Sequence, residues 1–171
     1  MNYSVKKIVF TAVLASLALI AFMIESLFPP ILVPGAKLGL SNFFILTALI
    51  FLGVKEAIAV FIIKIILGSV FSGNISALLY SFPSGTVSLL VEILLFTKIK
   101  TSVLSASALG AVINNAVQLS VYVLITNTIE LYVYLPYLLL IGLLAGTFNG
   151  VLCVFISKTL IKAKNFQRLV E

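Results

Sequence analysis

Six apolar stretches follow one another with only short polar breaks, at residues 8–28, 38–54, 57–71, 77–96, 102–126 and 131–160. Each is near the ~20 residues that a helix needs to cross a hydrocarbon layer. Inside lipid no water can bond the backbone, so runs of this kind must satisfy their own N–H and C=O groups as helices. The breaks carry turn chemistry: Pro29-Pro30 with Pro34-Gly35, Lys55-Glu56, Ser72-Gly73-Asn74, residues 97–101 and residues 126–130.

Composition decides between lipid and water. Apolar residues make up 62% of the 171 and charged residues 9%, with a mean hydropathy of +1.28. A soluble domain of that size cannot keep so much apolar surface from water. The expected fold is therefore all-α, a polytopic integral membrane bundle of about six transmembrane helices in one domain, residues 1–171. No linker, low-complexity tract or internal repeat divides it.

The net charge of +6 would suggest nucleic acid in a soluble protein. Here it reads as topology and lipid-surface charge, with no nucleic-acid partner. With the N-terminus inside, the inner segments hold Lys6, Lys7, Lys55, Lys98, Lys100, Lys158, Lys162, Lys164 and Arg168, against Lys37 alone outside. That bias places both termini in the cytoplasm and the chain in the cell membrane. The first run follows Lys6-Lys7 like a signal peptide, but it is too long and lacks a small-x-small cleavage site before Pro29.

Charges within the spans need partners. Lys64 falls in the third span and Glu92 in the fourth, both in the inner half of antiparallel neighbours, so they are read as an intramembrane ion pair. Such a pair can be structural, with both side chains reaching toward the inner surface, or can serve coupling.

In the fifth span Ala106, Gly110, Asn114, Gln118 and Tyr122 recur every fourth residue, with Asn115 beside them. Small residues let helices approach closely, and the amides offer donors and acceptors inside the bundle. The stripe is either interhelical glue or the polar wall of a pocket opening outward. Gly142, Gly146 and Gly150 form a small-residue ridge in the sixth span, flanked by Ala145 and Asn149, and Thr11/Ala15 and Ala12/Ser16 repeat the spacing in the first. At the outer edge Glu25, Lys37, Asn42 and the segment 72–85, with Tyr80 and Phe82-Pro83-Ser84-Gly85, make a polar mouth.

What is missing excludes several chemistries. There is no Asp and no His, the five Glu are scattered, and Cys153 is alone. Clustered carboxylates for Mg²⁺-diphosphate chemistry, thiolate metal sites, nucleophile–His pairs and a phosphate-binding Gly-rich loop are all lacking. The chain reads as a non-enzyme with no cofactor or metal.

The segments Lys37-Leu-Gly-Leu-Ser-Asn42, Leu52-Gly-Val-Lys-Glu56-Ala and Lys64-Ile-Ile-Leu-Gly68-Ser-Val-Phe-Ser-Gly73 resemble the membrane family called heptaprenyl diphosphate synthase component I, also labelled Gx transporter. Gly110-Ala-Val-Ile-Asn-Asn115-Ala-Val-Gln118, Tyr134-Leu-Pro136 and the 146–150 segment extend the likeness over nearly the whole chain. The family commonly has His where Asn114 stands and Gly where Val117 stands. It looks like the substrate-binding S components of energy-coupling factor transporters. That resemblance implies a small-molecule solute, a transmembrane coupling protein and ATPase subunits as partners. It puts partner docking on Ala12, Ala15 and Ser16, and substrate binding on Lys37, Asn42, Ser84, Asn114, Asn115, Gln118 and Tyr122. The family's label implies a different role, an accessory membrane subunit for prenyl diphosphate synthesis.

Overall fold

The computed structural model describes residues 3–27, 39–73 and 75–162. Lys37 and Asn74 lie outside the described residues, as does the turn at Pro29-Pro30. Six α-helices follow in chain order: α1 Tyr3–Leu27, α2 Leu40–Phe51, α3 Val54–Phe71, α4 Ser76–Ile93, α5 Val103–Thr126 and α6 Leu135–Lys162. A π-helical stretch Leu94–Ile99 continues α4, and a 3₁₀ turn Ile129–Tyr134 leads into α6.

Local chemistry sets the ends. Gly39, at φ 70°, takes the left-handed backbone from which α2 starts, and Gly53, at φ 110°, turns the chain between α2 and α3. Asn127, also left-handed at φ 51°, closes α5, and Ser102 opens that helix by accepting the Ser105 N–H at 3.1 Å. Gly53 stops α2 early. At 12 residues it is only ~18 Å long, so the second apolar stretch is shorter than a full span. Among the described residues, four helical segments are long and apolar enough to cross a membrane: 5–26, 76–99, 103–126 and 129–159. Helix α3, with 18 residues, carries Lys55, Glu56 and Lys64, more charge than a simple lipid-facing span.

The helices pack as two groups of three. Helix α1 lies against α2 and α3, and α5 lies between α4 and α6, while the seams α3–α4 and α2–α6 are thinner. Two contacts fix the alternation of direction. Lys7, near the start of α1, pairs with Glu56 at the start of α3 at 2.9 Å. Glu25, near the end of α1, accepts the backbone N–H of Leu40 at the start of α2.

Leu46, Ala48, Val60 and Phe61 of the first group make a core with Ala15 and Ala18, and it reaches Leu89 and Cys153 across the seams. In the second group the glycine ridge of α6 lies on α5. A Cβ on Gly146 would meet the Ser107 carbonyl at 2.6 Å, and one on Gly150 the Leu104 Cα at 2.9 Å. Ser107 uses that close approach to donate to the Gly146 carbonyl at 2.7 Å.

The outer surface is apolar. Ile8, Phe71, Leu124, Leu144 and Phe155 are each at least 60% exposed, an arrangement that suits lipid and not water. On α1, Ala12 and Ser16 face outward, four residues apart on one side of the helix. Ala15 does not share that face. It is 3% exposed and packs in the core with Ala18, so a docking surface on α1 excludes it.

Candidate functional site

The two groups of helices enclose a cavity of about 50 Å³, and all six helices contribute to its wall. More than half of the lining residues carry polar side chains, in a bundle whose exterior is apolar. The distribution is the reverse of a soluble domain's, and it follows from the solvent: polar groups avoid lipid and collect where other polar groups can bond them.

From the first group come Glu25 on α1, Ser41 and Asn42 on α2, and Lys64 on α3. Glu25 is 8% exposed. Its Oε1 accepts the Leu40 N–H at 2.7 Å and its Oε2 accepts from Ser41 Oγ at 3.5 Å, so a carboxylate meets the positive end of the α2 dipole. Lys64, 6% exposed, donates to Asn42 Oδ1 at 3.0 Å and to Ser41 Oγ at 3.3 Å. Its ammonium also stands 5.8 Å from the centre of the Phe22 ring and 6.0 Å from that of Phe61. Each ring is seated on a glycine: Phe22 against Gly68 and Phe61 against Gly85. The polar block Ser41-Asn42 thus receives a charge from each neighbouring helix, and Ser41 touches both.

From the second group come Ser81 and Ser84 on α4, Asn114, Asn115 and Gln118 on α5, and Asn149 on α6. Asn115 Nδ2 donates to the Leu138 carbonyl at 2.9 Å, which joins α5 to α6 at cavity level. Asn149 Nδ2 donates to the Gly39 carbonyl at 2.9 Å and closes the α2–α6 seam over the cavity. On α4, Pro83 has no N–H, so the helical bond to the Leu79 carbonyl is not made just where Ser81 and Ser84 face inward.

Of the residues singled out from sequence, Asn42, Ser84, Asn114, Asn115 and Gln118 come together in this one cavity, and Lys64 joins them. Tyr122 does not line it and instead makes an edge-on ring contact with Tyr80, centroids 5.7 Å apart. Gly142 is a lining residue as well as a packing one, since a Cβ there would sit 3.0 Å from Asn115 Nδ2. Glu92 takes a different place from that of a contact partner for Lys64. It lies against Gly110, where a Cβ would collide with its carboxyl, and it lines a smaller neighbouring cavity with Asn42, Phe61, Gly85 and Ser88. Lys64 acts on it through space while its hydrogen bonds go to α2. The Gly110 end of the α5 stripe is therefore the floor on which a buried carboxyl rests.

Sequence reasoning left Ser41, Ser81 and Asn149 out of the site. Asn149 carried a signal: it shares the α6 face of Gly142 and Ala145, at helical spacing, and an amide on a close-packed face has to find polar company. Ser81, two residues before Pro83, and Ser41, beside Asn42, carried no such signal.

Among the described residues no group of three or more His, Cys, Asp or Glu side chains converges on a point. The cavity's chemistry is hydrogen bonding around one acid and one base. No curated protein and no solved structure matches the chain. The model of the family described as heptaprenyl diphosphate synthase component I matches residues 14–156, a stretch that reaches from within α1 to within α6 and takes in the whole cavity wall, and the chain belongs to that family.

Proposed function

We propose that the chain is the membrane-embedded solute-binding subunit of a small-molecule uptake system in the cell membrane, with both termini in the cytoplasm. It takes a vitamin- or precursor-type solute from the outer side and is driven by a transmembrane coupling protein with ATPase subunits. The observation that carries this reading is the central cavity with its polar wall drawn from all six helices. A scaffold needs pairwise polar contacts between helices, whereas a ring of polar groups around a common space suits a ligand. The exposed Ala12–Ser16 face on α1 offers a close-approach surface for the coupling protein.

The family's description supports a second reading, a membrane component that assists a separate prenyl diphosphate synthase. The scattered carboxylates fit an assisting role, since the Mg²⁺-dependent step would belong to the partner. The two readings separate in one experiment. The tagged protein is purified in mild detergent from its native membrane, and retained proteins are identified by mass spectrometry. ATPase subunits with a coupling protein establish the transport reading. An Asp-rich prenyl synthase in their place overturns it in favour of the second.

A further inference from the structure

A groove of about 470 Å³ runs along the outside of the bundle, between Lys7, Thr11 and Ala12 of α1 and Lys55, Ala59 and Ile63 of α3. The two helices point the same way. Lys7 pairs with Glu56 at 2.9 Å near their starts, and Phe22 rests on Gly68 near their far ends. The small side chains of Thr11, Ala12 and Ala59 leave the trough open between them. Its walls belong to the apolar exterior, with Ile8 and Ile63 exposed, so it faces lipid.

The groove is chemically polarised along its length. Its charged residues, Lys7, Lys55 and Glu56, all stand at one end. Beyond them the lining side chains are apolar except for the Thr11 hydroxyl, which is spent on the Lys7 carbonyl at 2.8 Å. Ile63 lies two turns along α3 from Lys55, roughly 12 Å away. Glu56 engages Lys7, and among the described residues Lys55 enters no salt bridge. Two lysines against one glutamate leave the charged end positive. On the positive-inside reading that end lies at the inner surface, where anionic lipid heads are drawn to cations beside a span.

We propose that this groove is the seat of one anionic phospholipid of the inner leaflet. Its phosphate group meets the Lys55 ammonium, and one acyl chain lies along Ala12, Ala59 and Ile63. The chain fills the space that small residues leave between α1 and α3. Ala12 borders both the groove and the docking face described above, but Ser16 lies outside the groove. The seat is independent of what the central cavity binds.

Native mass spectrometry of the detergent-purified full chain tests this, with phosphatidylglycerol and phosphatidylcholine of identical acyl chains added in equal amounts. One phosphatidylglycerol should be retained in preference. Lys55→Gln should cut that preference roughly fivefold. Lys55 is exposed, so the melting temperature should not change. Lys98→Gln removes another exposed lysine, outside the groove, and should leave the preference intact. Ala59→Phe puts a ring in the trough and should lower phosphatidylglycerol retention with Lys55 still in place. Equal retention of the two lipids, or a preference that the two lysine variants lower alike, would overturn the seat and leave only general attraction to a basic surface. Retention untouched by Ala59→Phe would also overturn it and leave the groove to a protein partner.

Discussion

The carboxylate of Glu25 stands 2.7 Å from the backbone N–H of Leu40, fifteen residues on, and so the end of α1 caps the start of α2. Gly39, which precedes the helix, has no side chain to do so. A charge-assisted bond at a helix N-terminus contributes about 1–2 kcal/mol. Glu25→Ala should lower the stability in detergent by that amount, and Glu25→Gln by less, since its carbonyl still accepts the N–H. Thermal unfolding followed by circular dichroism decides it. Equal stability in both variants would mean that the cap contributes nothing.

Gly146 has α5 backbone where a methyl group would stand. Its Cβ would lie 2.6 Å from the Ser107 carbonyl oxygen and 2.8 Å from the Ala108 Cα. Backbone atoms cannot yield as a flexible side chain does. Gly146→Ala should therefore cost about 1–3 kcal/mol. Gly73, at φ 67° with open space around it, gives the comparison: Gly73→Ala meets only the strain of its backbone, about 1 kcal/mol. A Gly146→Ala protein as stable as the parent would show that α5 and α6 are not held together at this ridge.

Stability should also depend on pH through Glu56. Burial pushes this carboxyl up, but the hydrogen bond and charge of Lys7, with a backbone bond and Lys55, outweigh it and hold it below its ordinary 4.5. A group whose folded value is depressed stabilises the fold above its unfolded value and loses that stabilisation as pH falls through the folded one. The melting temperature should thus be flat in this respect above about pH 5 and fall on further acidification. Lys7→Gln should remove part of the fall. Because the pair is partly exposed, the effect stays under about 1 kcal/mol. An identical acid limb in Lys7→Gln would sever the connection.

Topology can be read with cysteines. On the positive-inside reading, in a Cys153→Ser background, Lys98→Cys falls on the inner side, after α4, and Asn127→Cys on the outer side, just beyond α5. A membrane-impermeant maleimide applied to whole cells should label position 127 and spare position 98 until the cells are opened. The reverse pattern would invert the orientation drawn from the positive-inside bias.

The helical bundle was legible because hydropathy runs and turn residues are local signals. What escaped the sequence depends on where a helix stops and which way it turns. The second apolar run looked long enough to span, yet Gly53 with its left-handed backbone ends α2 after Phe51. Lys64 and Glu92 were matched by depth alone, which says nothing of azimuth. The Lys64 ammonium bonds Ser41 and Asn42 on α2, and Glu92 settles on Gly110 of α5. Ala15 differs from Ala12 and Ser16 in the same way, by a rotation of the helix that only packing fixes. The amide stripe on α5 was visible because its members share one helix. Asn149 and Ser81 joined it only once α4 and α6 were set on either side.

The grouping of the helices has a consequence for how the chain is made. Helices α1 to α3 can pack against one another while the rest is still being synthesised, because most of their contacts fall among themselves. Within that group Ser41 and Asn42 already stand in position to accept the hydrogen bonds of the Lys64 ammonium. Their bonds need no residue of α4, α5 or α6. Ser41 and Asn42 thus let the first three helices satisfy a buried ammonium from within their own group.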